Sequence, residues 1–479
     1  MATIKIDRFC GIMPRQHPSK LADGMAVTAH NVKLKNGKLV PLRQPSPVRD
    51  IPIRLENGLG NVGDARSLHI WRQDDGNIEM LAFPGDTWLA EGNIADDDRH
   101  RVVISGDTGV SFRRKDGTLV EDSPQIYLKN AKGERIVHPM CKNPMTRPKV
   151  KRSGDPPPEL DEANKRYTYF FYTWVDEYGY ESPVSRSSLA WDAVKSDYVD
   201  SDIEYNDGDT ISFAALSAYE IPEGATAIRI YKVITGTSEG RIQFIAEFST
   251  AEAVTEMLVT VKDEDAGEIL TEIEAPPSDI RNIIRVFGGG SFYAGFSPTN
   301  GKTVCFSEMD LLYSWPLAYR YDVDANIVAL ATTSNTVYAL TDGYPYVFSG
   351  TAPESMVCYP LAGPAACVSA KSVCVYRNAV FFASNEGICT VSNSADAGTV
   401  VRNLTEQIWT KDQWNALNPS SCIIVQHDGT LHCWFDTDEG PKSYSVDLLE
   451  SECAVTTNDE PSTCACVDAK TDKLYFVRA

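Results

Sequence analysis

No apolar run in this chain approaches the ~18 to 20 residues that a membrane-crossing helix requires, and the opening, Met1-Ala-Thr-Ile-Lys-Ile-Asp, has no apolar signal core. The expectation is a soluble protein made in the cytoplasm, with no membrane partner. Positive charge is scarce: 45 Lys and Arg face 66 Asp and Glu, a net charge of −21. That balance disfavours a nucleic-acid binder working by phosphate neutralisation. Paired cysteine motifs are lacking too, since Cys464-Ala-Cys466 is a C-x-C with no second pair at zinc-ribbon spacing. Most of the 12 cysteines stand in strand-like runs beside Val, Ile and Ala, Cys358, Cys367, Cys374, Cys389, Cys422 and Cys433 among them, and read as buried thiols. His427, His432 and Cys433 form the one His/Cys cluster, but adjacent residues of a strand point to opposite faces, which weakens it as a chelate. No metal or other cofactor is expected.

What the chain has is a repeated unit. From Asn335 to Gly350 it reads Asn-Thr-Val-Tyr-Ala-Leu-Thr-Asp-Gly-Tyr-Pro-Tyr-Val-Phe-Ser-Gly, a strand, a turn at Asp342-Gly343 and a second strand. Val337 and Ala339 fall on one face and Tyr338 and Leu340 on the other, so both faces are expected to be covered. The unit recurs as Val380 to Gly387 and as Leu431 to Gly440, with turn glycines 44 and 53 residues apart. A four-stranded propeller blade needs roughly 40 to 50 residues. The fold class expected is all-β, a β-propeller with an inserted module.

Taken in order, the first residues hold Phe9, Gly11, Pro14 and Arg15, then Leu21, Gly24, Ala26, Ala29 and Asn31, then a hairpin with Asn36-Gly37 at its tip, followed by Leu39 and Arg43. From Ser67 to Arg113 strand-like text follows, with Leu68 to Trp71, a turn at Asp74 to Gly76, and Ile78 to Phe83. Six prolines between Pro139 and Pro158, amid Lys and Arg, read as a linker. Arg166 to Val175 reads as one aromatic, β-branched strand, and Ala227 to Val233 pairs with Arg241 to Phe248 as a hairpin. Turn signals every 8 to 12 residues without helix fit a β-sandwich of about 100 residues. The expected division is 1–150 for an N-terminal segment and first blades, 151–165 for the linker, 166–280 for the sandwich and 281–479 for the remaining blades.

These phrases carry a resemblance. The N-terminal residues just named, and later Phe306, Ser307, Glu308, Trp315, Pro316, Leu340, Thr341, Asp342, Gly343, Ser349, Gly350, Pro353, Ser355 and Met356, resemble the tail tube and nozzle proteins of short-tailed bacteriophages. The stretch Asp176 to Ser185 is similar to a hairpin of the fibronectin-III-like modules inserted in phage tail proteins. The resemblance implies a virion protein that self-associates into a hexameric ring, meets the tail adaptor above and tail fibres or tailspikes and the tail tip, and passes double-stranded DNA without binding it specifically. On that reading it is not an enzyme.

Enzymatic signatures fail residue by residue. Gly295 to Thr303 has one residue too many for a phosphate-cradling loop, and Asn300-Gly301 reads as a turn. In Asp200 to Asp209, Tyr205 stands where a calcium loop requires Gly, so a solvated turn is expected. Gly288 to Ser291 is not a nucleophile elbow. The pairs Asp263/Asp265 and Glu272/Glu274 read as a charged solvent face. No catalytic, cofactor-binding or metal residue is assigned. The basic cluster Arg147, Lys149, Lys151 and Arg152 is a candidate for docking an acidic neighbour. The alternative reading is a carbohydrate-binding or glycan-processing propeller.

Overall fold

The computed structural model describes residues 8–35, 38–72, 77–92, 99–107, 125–129, 132–139, 144, 146–176, 179–222, 225–234, 241–270, 273–288, 290–311, 313–363, 365–394, 398–449 and 454–478. The turns expected at Asn36-Gly37 and Asp74 to Gly76 lie outside them. The chain is all-β, with 49% strand and 7% helix among the described residues.

Seven small sheets follow one another. Sheet I holds Ile53–Leu55, Ser67–Arg72 and Ile78–Phe83; sheet II, Thr87–Glu91, Val102–Gly106, Gln125–Lys129 and Arg135–Pro139. Sheet III spans Arg281–Phe287 to Arg320–Asp322, sheet IV Ile327–Thr333 to Val357–Pro360, sheet V Cys374–Tyr376 to Gly398–Asn403, and sheet VI Ile423–His427 to Ala454–Asn458, each with four strands in sequence order. Sheet VII is the hairpin of Ser462–Asp468 and Lys473–Arg478. The repeated unit emerges as read: Thr336–Thr341 pairs antiparallel with Tyr346–Ser349 across the Asp342-Gly343 turn. Val337 and Ala339 enter one core with Phe306 and Phe348, while Tyr338 and Leu340 enter another with Phe382 and Val391.

One strand of each sheet touches one of the next, from Ser67–Arg72 through Thr87–Glu91, Arg281–Phe287, Ile327–Thr333, Cys374–Tyr376 and Ile423–His427 to Ser462–Asp468, which touches Ser67–Arg72 again. Apolar side chains fill the gaps, and a polar bond crosses each junction. Thr87 N donates to Ser67 Oγ (2.9 Å), Ile283 N to Ser105 Oγ (3.0 Å) and Leu330 N to Asn282 Oδ1 (2.6 Å). Cys367 N donates to Thr341 O (2.8 Å) and Ser369 Oγ to Cys422 O (2.6 Å). His427 Nε2 meets Asp472 O at 2.8 Å, and Arg72 pairs with the buried Asp468 between the last sheet and the first. Such bonds satisfy groups that would be costly to bury alone.

The segment at the start of the chain is laid along the outer edge of sheet VI. Gly11 bridges Val455 and His30 bridges Thr457, both in parallel register, so the exposed ladder of Ala454–Asn458 is covered. Gly11 has φ +86°, and a Cβ there would lie 2.6 Å from the Val455 backbone; at Gly24, φ +87°, a Cβ would lie 2.4 Å from Arg8 O. Only glycine fits either place. Arg15 bonds the Glu406 carbonyl, and Ile12 and Ala29 join the core of Trp414, Leu431 and Val446.

Between sheets II and III the chain builds a separate module. A five-stranded sheet runs in the order Asp197–Val199, Leu189–Asp192, Lys149–Arg152, Thr210–Phe213, Met257–Thr260; a three-stranded sheet holds Phe170–Asp176, Ala225–Ile234 and Arg241–Ser249; Lys165–Thr168 pairs with Ile203–Asn206. The expected Ala227/Arg241 hairpin is there, in antiparallel register. Three expectations are corrected. The linker placed at 151–165, and the 1–150 boundary before it, cut a strand: Val150 is fully buried and pairs with both Ala190 and Phe213. Arg166 to Val175 is not one strand, because Thr168 Oγ1 donates to Val233 O (2.8 Å) where the chain steps from one sheet to another. Asp200 to Asp209 is not a solvated turn, since Ile203–Asn206 is a strand that buries Tyr205.

Candidate functional site

Polar groups from three sheets gather around Lys371. A short turn of helix, Ala370–Ser372, leads into sheet V and aims this side chain at sheets I and II, which are not its neighbours in the cyclic order. Its Nζ donates to Ser67 Oγ at 2.6 Å and to Thr87 O at 3.4 Å, lies 3.7 Å from Asp86 Oδ1 and stands 5.1 Å above the Trp88 ring. Ser67 is saturated: it accepts from Lys371 and from Thr87 N and donates to Gly85 O (2.9 Å). Beside it, His69 Nε2 is 2.9 Å from Thr87 Oγ1 and 3.1 Å from Thr87 O. Burial first, then the Lys371 charge, pulls the His69 pKa down to about 3, so the ring is neutral. Asp107 completes the group, accepting from Asp86 N (3.3 Å) and pairing with Arg281 at 2.8 Å.

Chemically this is a tie across the centre of the molecule. Burial lowers the Lys371 pKa by more than Asp86 raises it, and Ser67 Oγ, Thr87 O and Asp86 Oδ1 surround its Nζ. No sequence pattern marks Lys371 or His69, since Ser-Ala-Lys-Ser and Leu-His-Ile-Trp are ordinary strand-flanking text.

The residues singled out from sequence are placed as follows. In the basic cluster, Arg147 grips Asp200 with both terminal nitrogens, its Nη1 at 2.9 Å, and donates from Nε to Ser187 O (2.7 Å). Arg152 donates from Nε (3.0 Å) and Nη2 (2.8 Å) to the one oxygen Asp209 Oδ2, Lys151 lies 3.6 Å from Glu256, and Lys149 stands over Tyr198. The carboxylates of Asp200 to Asp209 and this cluster therefore answer one another. Three of its four members thus meet carboxylates of their own module, while Lys149 lies against Tyr198. Asp263, expected on a solvent face, holds Lys232 at 2.6 Å and Arg166 at 3.1 Å. Glu274 accepts from Leu317 N (2.7 Å); its partner Glu272 lies outside the described residues. Asn300-Gly301 is the turn expected, with Gly301 at φ +69°.

His432 and Cys433 do face opposite ways. Cys433 is fully buried in the core of sheets V and VI, whereas His432 stacks at 6.1 Å on Trp434, its pKa brought down to about 4 chiefly by burial. A cleft beside it, lined by Lys33, Leu42, Thr430 and Asp447, holds about 20 Å³, room for one water. No group of three or more His, Cys, Asp and Glu able to hold a metal exists among the described residues. The ten cysteines described are all free thiols.

The residues of the family-like phrases make turns and joints. Thr341 Oγ1 accepts from Gly343 N (3.0 Å) and donates to Tyr344 O (2.7 Å), and Asp342 accepts from Asn326 N (3.0 Å) and Nδ2 (2.8 Å). Ser307 Oγ accepts from Tyr293 N (2.9 Å), and Trp315 is fully buried with its amide on Glu274 O (2.7 Å).

No family model and no curated protein matches the chain. Solved structures similar to parts of it include a chain of a Saccharomyces cerevisiae Dbp5 complex with Nup159 and Gle1 (9% identity, 49% of this chain and 59% of that one, TM-score 0.27). Two others are PorZ of Porphyromonas gingivalis, a surface component of the type-IX secretion system (13%, 82% and 67%, 0.29), and an exported protein of Bacteroides fragilis (8%, 69% and 79%, 0.24). The chain spans less than two thirds of the first of these, and at such TM-scores none bears on function.

Proposed function

We propose that the chain is a structural subunit of a short phage tail, forming with further copies the nozzle through which the genome leaves. Its seven sheets are then the blades of a β-propeller, and the inserted module is a fibronectin-III-like sandwich. The observation that carries the reading is the work done by the family-like residues: Gly11, Arg15, Gly24, Ser307, Trp315, Thr341 and Asp342 seal an edge, anchor a joint or form a turn. Such residues maintain a shape.

Charge supports it. Arg147, Arg152 and Arg166 of the module pair with its own carboxylates, and the net charge of −21 repels a duplex carrying one charge per ~1.7 Å. Lys371 ties the middle of each subunit, which leaves the DNA passage to form between copies. Electron microscopy of the purified chain or of virions tests the reading: rings with a central opening are expected, and a monodisperse monomer absent from purified tails overturns it. At low salt the chain should not retard duplex DNA; tight binding with a steep salt slope would argue against a conduit.

A second reading, glycan binding, has one observation in its favour. Trp191, 43% exposed, pairs edge-on with Tyr198 (5.1 Å) in a hairpin at the edge of the five-stranded sheet. Retention on a glycan array, lost in Trp191→Ala, would favour it.

A further inference from the structure

We infer that Tyr180 is the latch that fixes how the inserted module stands on the seven-sheet body. The module has a core of its own, drawn only from residues between Val150 and Val261, and none of its strands pairs with a strand of sheets I to VII. Thr146 already belongs to the module, its Oγ1 donating to Glu220 Oε2 (2.9 Å), as does Pro148, which accepts from Leu189 N (2.8 Å). At the other end, Leu270 N still donates to Ile242 O (2.8 Å) inside the module. By Glu274 the chain is bonded to sheet III through Trp315 N and Leu317 N, both at 2.7 Å. The last bond the chain makes inside the module, at Leu270, and its first to sheet III, at Glu274, are thus four positions apart in sequence.

Tyr180 supplies a second point of attachment. It stands at the tip of the hairpin that ends Phe170–Asp176, and Asp176 holds it there: Tyr180 N donates to Asp176 Oδ1 (2.9 Å) and Asp176 N to Tyr180 O (3.1 Å). The ring packs edge-to-face on Tyr313 of sheet III's outer connection, centroids 4.8 Å apart, and receives the Arg101 guanidinium of sheet II at 5.3 Å. An aromatic edge contact and a cation over the same ring are directional, so the pair selects one orientation of the module. Two sheets grip one side chain of the module, and removing that side chain removes the directional contact that sets how the module stands on them.

Pulsed electron resonance on the full chain tests this, with spin labels carried by unnatural amino acids at Val194 on the module and Tyr344 on sheet IV, both exposed, and diluted with unlabelled chain to suppress distances between copies. The wild type and Tyr180→Phe, which keeps the ring, are expected to give one narrow distance. Tyr180→Ala should broaden it, the docked fraction falling about tenfold relative to undocked. An unchanged distribution in Tyr180→Ala overturns the inference, and so does a Tyr180→Phe distribution as broad as that of Tyr180→Ala. Should Tyr180→Ala fail to fold, Tyr313→Ala removes the other half of the clamp and decides on the same readout.

Discussion

At the scale of single residues, burial sets the chemistry of the titratable groups. Desolvation pushes the thiols of Cys305, Cys389 and Cys464 up to about 11 and that of Cys367 to about 12, with Cys422 and Cys433 also well above the usual range. These thiols are protonated at neutral pH and poor nucleophiles. In the native state all six should resist a thiol reagent at pH 8, and all should react in guanidinium. Because their folded pKa values lie above the unfolded ones, the stability they contribute is full below about pH 9 and lost as pH rises towards 12, visible as a falling melting temperature. His69 and His432 work in the opposite sense. Their folded pKa values, about 3 and about 4 against an ordinary 6.5, make their contribution complete above pH 6.5 and lost as pH falls through 4 and 3. His69→Gln should therefore flatten the decline of the urea midpoint between pH 6.5 and 3; an identical decline would show that His69 is not among the groups that titrate on acid unfolding.

At the scale of elements, edges and joints decide. Gly11→Val cannot be accommodated against Val455 at φ +86°, so the initial segment should peel from sheet VI at a cost of about 1 to 3 kcal/mol, read as faster cleavage within the first 43 residues by trypsin. Trp414 is fully buried between sheets V and VI and donates to Ser384 O at 2.9 Å. Its replacement by Ala should lower stability by about 3 to 5 kcal/mol, measured by denaturant unfolding. Much at this scale was legible in the sequence. Alternation over Val337 to Leu340 and the Asp-Gly turn gave the strand, its two covered faces and its partner, because those are local properties of a pleated chain. Lys149 to Arg152 was misread because prolines and positive charge suggest a linker, while the carboxylates that neutralise Arg147 and Arg152 stand more than 50 residues away in sequence. The Lys371 group was invisible for the same reason: Ser67, Thr87 and Lys371 acquire their meaning only when three distant sheets meet.

At the scale of the whole molecule, the junction of the last sheet with the first closes the cyclic order. It rests on Leu68, Met80, Cys464 and Val477 in one apolar cluster and on the Arg72–Asp468 pair, in which Asp468 is nearly inaccessible. Asp468→Ala leaves Arg72 partly buried without its carboxylate and should cost about 3 to 5 kcal/mol. Since the inserted module has its own core, calorimetry should show the transition of the seven sheets moving down while that of the module stays in place; loss of both together would mean the two bodies unfold as one.

The bond between Gly11 and Val455 also fixes an order in time. The segment that seals sheet VI is made before the strand it seals, which follows some 440 residues later, about 20 to 90 seconds at ~5 to 20 residues per second. Through that interval the start of the chain has no place to bind, and the outer edge of Ala454–Asn458, once made, is open until the segment returns. Sealing thus cannot precede the making of Ala454–Asn458, and until it happens the chain displays a strand edge that the folded protein conceals.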